Sequence, residues 1–238
     1  VDLTPTQLYQ KIKVTDDIPK TSQPSPGDFA ELFKKVGEQY EQAIAIHLSG
    51  KLSGTLVASK AGAEIADFPV TFIDSLSLSY GITGMIERGM EMYDSGVPIP
   101  EIIAQLEKMP GTMHNYILIG KLDQLYKGGR MSGVQFFIGS LLKIKPIVQI
   151  TKEGGLQAIE KVRSEKKALQ YLIDKVIEGH HVGRRKIYIM HGNVRDQATH
   201  LKNLILEQIP GLEVEIGDIS SVLAVHGGEG TLAVLWFD

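Results

Sequence analysis

The 238-residue sequence contains no cysteine. Disulfides, zinc ribbons, iron–sulfur clusters and thiol nucleophiles are thereby excluded together. The absence fits a reducing compartment, so a cytoplasmic location is expected. Long apolar runs are missing as well. The longest candidate, 134–142, already contains Gln135 and Ser140, far short of the roughly 18 residues a membrane span needs. No basic stretch followed by an apolar one opens the chain, so no secretory signal is read. The motifs of several enzyme classes are absent too. There is no phosphate loop of the G-x-x-x-x-G-K-[ST] type, no H-E-x-x-H and no G-x-S-x-G elbow, since Ser53 stands in Gly50-Lys51-Leu52-Ser53-Gly54. The stretch 228–233 spells G-x-G-x-x-A, but only five residues follow it. That is too few for the helix whose N-terminus must hold a pyrophosphate. His180 and His181 are adjacent and point apart on any regular element, so the histidines show no metal spacing.

What remains is ordinary in amount and uneven in place. Hydrophobic residues make up 43% and charged residues 22%, enough apolar material for a sizeable core in one or two domains. The net charge of -3 argues against a general nucleic-acid binder. Between Lys121 and Lys167, however, ten Lys/Arg face four acids, a local +6 that leaves -9 for the rest. Such a segment fits either a solvated basic face or a docking surface for an acidic or phosphate-bearing partner.

Apolar runs alternate with amphipathic stretches, the pattern of an α/β protein. Strands are expected at 43–48, 70–73, 115–119, 145–151, 156–162, 186–190, 212–216, 222–225 and 231–237. Helices are expected at 29–40, 55–66, 80–93, 100–109, 134–142, 165–177 and 195–208. Ser25-Pro26-Gly27-Asp28 opens the first of these with a capping residue, a proline at the first helical position and an acid three residues on. Pro110-Gly111 punctuates the chain, giving two α/β domains, 1–112 and 113–238.

Three turns could carry chemistry. Ser49-Gly50-Lys51-Leu52-Ser53-Gly54-Thr55 lies between a strand and a helix, where free amides and a positive helix end suit a small anion. The same residues also fit a plain helix cap. Thr21 to Pro26 is a second hydroxyl-rich turn entering a helix. In the third, His226 precedes Gly227-Gly228-Glu229-Gly230, where small residues let a ligand approach the backbone closely. A structural histidine is the competing reading there. His47 sits in an apolar strand and is expected in the core or at a domain interface, while Asp74-Ser75 lies at the edge where α/β sheets bind ligands.

Taken in order, TSQPSP (21–26), LSGT (52–55), FIDS (72–75), KGGRMS (127–132), LLKIKP (141–146), KVR (161–163) and HGGEG (226–230) cover most of the chain. In these segments the chain resembles the DegV family, bacterial fatty-acid-binding proteins of the EDD fold. The resemblance implies two α/β domains, an N-terminal Rossmann-like, mostly parallel sheet and a C-terminal mixed sheet flanked by helices, with a ligand site between them. It implies that a fatty-acid carboxylate is held by Thr21, Ser53 and His226, with Gly54 as the adjacent backbone position. No cofactor or metal is implied, and the expected ligand is a long-chain acid such as palmitate, stearate or oleate. Members similar to the fatty-acid-binding subunit of fatty acid kinase present the acid to a separate kinase subunit, which makes an acyl phosphate for phospholipid synthesis. On that basis Arg163, and after it Arg130, are expected partner contacts, and the chain itself is expected to be a carrier without catalysis. Two departures stand out. Nothing in the chain matches the family's first βα unit, which is expected to be missing. Glu229 also stands where the family's last turn usually has proline, and a carboxylate there repels a carboxylate ligand unless it points away.

An acyl ligand also makes physical sense. About fourteen methylenes at ~0.8 kcal/mol each could contribute on the order of 11 kcal/mol on burial, less the freedom lost on binding. Val134, Phe136, Phe137, Ile138, Leu141 and Leu142 form a stretch apolar all round, suited to core or to tunnel lining. Two alternatives stay open. One is a hydrolase with Ser53 as nucleophile, His226 as base and Asp74 as orienter. The other is a small polar ligand held on His226, as in the substrate-binding part of dihydroxyacetone kinase, which shares the EDD fold.

Overall fold

A computed structural model describes residues 3–15, 19–130, 144–180 and 186–238. The described residues fall into two compact units. One draws on Val1–Thr21, Met113–Ile150 and Leu156–Asp238, the other on Ser22–Thr112 and Thr151–Gly155.

In the smaller unit, α2 (Pro26–Gly37) starts as the sequence predicts. Ser25 caps the amide of Asp28, and the Asp28 carboxylate returns the bond to the Ser25 amide. β1 (Ala43–His47) and β2 (Val70–Asp74) pair in parallel, from Ala43 opposite Val70 to His47 opposite Asp74. Between them runs α3 (Thr55–Ala66), which ends on Asp67 in the left-handed region two residues before Pro69. Gly62 of α3 has no room for a side chain, since a Cβ there would lie 2.4 Å from the Phe29 Cβ and 2.8 Å from the Pro26 carbonyl. That glycine sets how closely α2 and α3 approach. The unit continues with α4 (Tyr80–Asp94) and α5 (Ile99–Lys108), then a short 3₁₀ turn (Met109–Thr112).

The larger unit is built on a six-stranded mixed sheet in the order β5-β4-β3-β8-β6-β7. Its strands are β3 (Met113–Leu118), β4 (Lys145–Ile150), β5 (Leu156–Val162), β6 (Lys186–His191), β7 (Glu213–Asp218) and β8 (Leu232–Phe237). β8 runs antiparallel to both β3 and β6, and β6 runs parallel to β7. As one of the two central strands, β8 is buried on both faces from Leu232 to Trp236, which is why its sequence reads as an unbroken apolar run. α7 (Glu165–His180) contributes Leu172, Ile173 and Val176 to the core, and α8 (Arg195–Gln208) contributes Leu201 and Ile205. α6 (Leu122–Lys127) follows β3.

Two sequence expectations are corrected here. Residues 222–225, expected as strand, lie within a helix, α9 (Ser221–Gly227). Val222 is exposed while Ala224 and Val225 are buried, packing on Leu8 and Tyr9 of α1 (Pro5–Lys13). α1 is not visible as apolar periodicity, because its contacts come from few residues, yet Thr4 and Gln7 form a full capping box at its start. The same packing moves residues 1–21 into the larger unit, where the sequence boundary grouped them with 22–112. The apolar helix expected at 134–142 lies outside the described residues.

Candidate functional site

In the larger unit, Thr21 and His226 come together across 205 positions of sequence, with Thr21 Oγ1 2.8 Å from His226 Nε2. Both residues are half-buried. His226 stands in the last turn of α9, held in place by α1, and the glycine turn after it is pinned by backbone bonds. The Gly230 amide donates to the Gly192 carbonyl, the Gly192 amide to that of Thr231, and the Lys121 amide to that of Gly227. The other imidazole nitrogen, Nδ1, is buried without a hydrogen-bond partner among the described residues. It faces Gly128, where a Cβ would lie 2.3 Å away, so only glycine leaves space for the ring. Burial lowers the pKa of His226, and Arg130 lowers it further, so the imidazole is held neutral. Arg130, expected as a partner contact, is half-buried and donates to the Gly128 carbonyl at 2.8 Å. Arg163, the other expected contact, is exposed just after β5.

Glu229 is accounted for by its partners. Its carboxylate pairs with Lys13 of α1 at 2.7 Å and accepts from Asn193 Nδ2 at 2.7 Å. Burial would raise its pKa, but the bonds from Lys13 and Asn193 outweigh it and leave the group below the usual carboxylate range. Tyr9, 2% exposed, has its hydroxyl pushed up to about 12 by burial, with Glu229 and Asp218 adding to the shift. His191 is equally buried, with Nδ1 3.4 Å from Asp218 Oδ1. Burial depresses its pKa, against the pull of Asp218.

In the smaller unit, Ser53 Oγ lies 2.8 Å from Thr55 Oγ1 and accepts the Thr55 amide hydrogen at 3.2 Å. Gly54 is the N-cap of α3, and a Cβ on it would stand 3.2 Å from the Gln23 side-chain amide. Gln23 was not singled out from sequence. Its only signal was its place in the TSQ segment. Asp74, the orienter of the hydrolase alternative, is occupied by backbone amides: Gly50 donates to Oδ2 at 3.1 Å and Leu76 to Oδ1 at 2.8 Å. The hydroxyl on His226 Nε2 belongs to Thr21. His47 is half-buried, with Nε2 2.9 Å from Ser59 Oγ and its ring stacked on Phe72. It is part of an aromatic cluster with Phe29. Among the described residues no cluster of His, Asp and Glu could hold a metal ion, and no helix is long and apolar enough to cross a membrane.

A small parallel sheet, a larger mixed sheet and hydroxyl- and glycine-rich turns at strand–helix junctions define a two-unit α/β protein with polar loops suited to an anionic group. The chain belongs to the DegV family: the family model described as "Uncharacterised protein, DegV family" matches residues 1–238. A DegV domain-containing protein of Listeria innocua is 34% identical over 239 residues, covering 99% of this chain and 84% of that protein. The crystal structure of a fatty acid binding DegV family protein from Streptococcus agalactiae is similar with a TM-score of 0.90 and 30% identity, covering 99% of this chain and 84% of the other. That of DegV, a fatty acid binding protein from Bacillus subtilis, gives a TM-score of 0.88 and 29% identity, with 99% and 85% covered.

Proposed function

We propose that this chain binds a long-chain fatty acid and holds its carboxylate through Thr21, Ser53, the Gly54 backbone and His226. The observation that carries the reading is the Thr21–His226 pair. In the neutral tautomer that carries its hydrogen on Nε2, the imidazole donates to Thr21 Oγ1, and the threonine hydrogen is left for a carboxylate oxygen. Likeness over nearly the whole chain to DegV proteins described as fatty acid binding supports the ligand class. The pairing of Glu229 with Lys13 and Asn193 supports it too, because the one acid in the glycine turn is neutralised. In this reading the chain is a cytoplasmic carrier that uses no cofactor and catalyses nothing by itself. It presents the acid to a separate kinase subunit, with Arg163 and Arg130 as contacts for that partner.

The test is native mass spectrometry of the purified chain, then of its organic extract. A stoichiometric adduct resolving to an acid of sixteen to eighteen carbons is expected. Ser53→Ala and Thr21→Val are expected to weaken oleate binding about tenfold each, the loss of one hydrogen bond to a charged group, without lowering the melting temperature by more than a few degrees. A chain that stays free of ligand after exposure to oleate and palmitate sinks the reading.

A further inference from the structure

The β4–β5 hairpin is divided between the two units. Its strands pair in the large sheet, while its tip, Thr151–Gly155, belongs to the smaller unit. There the tip meets the loop that carries Ser53. Ser49, fully buried, donates from Oγ to the Gly154 carbonyl at 2.8 Å. The fit is close: Gly154 has φ +82°, and a Cβ on it would lie 2.2 Å from Ser49 Oγ and 3.3 Å from the Leu76 Cα. Only a glycine can present its carbonyl to Ser49 in that space.

Ser49 is also the residue on which the loop is built. Its carbonyl accepts the amide hydrogens of Leu52 at 2.9 Å and Ser53 at 3.1 Å. Its own amide donates to the Ser77 carbonyl at 2.7 Å, and its Oγ accepts from the Lys51 amide at 3.2 Å. The hydroxyl of Ser49 thus joins the hairpin tip to the turn that ends at Ser53. We propose that the hairpin tip is a positioning element for the Ser53 loop, acting through the Ser49–Gly154 hydrogen bond, so that Ser49 and Gly154 govern how firmly the loop holds a carboxylate. The ligand part of this proposal rests on the fatty-acid reading.

The test uses the full chain with its lipid removed, oleate as the probe, and backbone amide NMR of Leu52 and Ser53. Ser49→Ala leaves a buried carbonyl without its donor, and Gly154→Ala drives a methyl into the same place. Each is expected to weaken oleate binding about tenfold and to shift the Leu52 and Ser53 amide signals. Gly155→Ala, whose methyl meets no described residue closer than 3.8 Å, is expected to bind as the parent does. Because Ser49→Ala removes the atom that the Gly154→Ala methyl strikes, the double variant is expected to bind no worse than Gly154→Ala alone. Additive losses would show that the two residues do not act through their shared contact. Parent-like oleate affinity in both single variants overturns the proposal. If the parent itself fails to bind oleate, the fatty-acid reading falls separately, and unmoved Leu52 and Ser53 amides then overturn the positioning role. Should Ser49→Ala fail to fold, Gly154→Ala carries the same comparison.

Discussion

At His226 the backbone, the neighbouring charge and the glycines act on one ring. Gly128 leaves room for it, burial and Arg130 keep it neutral, and Thr21 takes its Nε2. His47 and His191 are shifted in the same direction, each chiefly by burial. For a histidine with a lowered folded-state pKa, the unfolded chain takes up protons first. The associated stability is therefore full above the ordinary value of about 6.5 and is lost as pH falls from there through the folded-state pKa. The melting temperature is expected to fall between pH 7.5 and 5.5, and more gently in His226→Asn. An equal slope in that variant would show that His226 is not held neutral by the fold. The proposed role of Thr21, Ser53 and His226 as a set rests on the motif resemblance. The pairing of two of them is a fact of folding, since residues 205 positions apart have no local signal.

Elements were legible where their signals are local. The start of α2 at Pro26 follows from Ser25, Pro26 and Asp28, and 55–66 and 195–208 match α3 and α8 to the residue. α9 is not legible as a helix, because Val222, Leu223, Ala224 and Val225 form an apolar run too short to show a period, and its helical state depends on the face it lays on α1. The contact of α2 with α3 was equally invisible, resting on one glycine. Gly62→Ala is expected to destabilise the smaller unit by about 1–3 kcal/mol through overpacking. Gly111→Ala, with no described residue within 4 Å of its new methyl, is expected to leave the denaturation midpoint unchanged. Equal midpoints for the two variants would rule out the close approach.

For the molecule as a whole, the membership of each compact unit is not legible from neighbours in sequence. α1 joins the larger unit through Leu8, Tyr9 and the Lys13–Glu229 pair, and the tip Thr151–Gly155 joins the smaller one through Ser49. Tyr9→Ala, which empties a fully buried site, is expected to cost about 3–5 kcal/mol. The loss should appear as faster amide exchange in β6 and β8 with β1 and β2 unaffected, whereas loss of protection in β1 and β2 alone would place α1 with the smaller unit. Composition, alternation of apolar runs and capping residues by themselves determined the α/β class, most elements and the absence of thiol chemistry, because these depend on neighbours in sequence. The order of the six strands, the burial that keeps His226 neutral, the partners of Glu229 and the seat of the hairpin tip were decided only by tertiary structure, because each depends on groups that meet only once the chain has folded back on itself, as Lys13 does with Glu229 across 216 positions, Thr21 with His226 across 205 and Ser49 with Gly154 across 105.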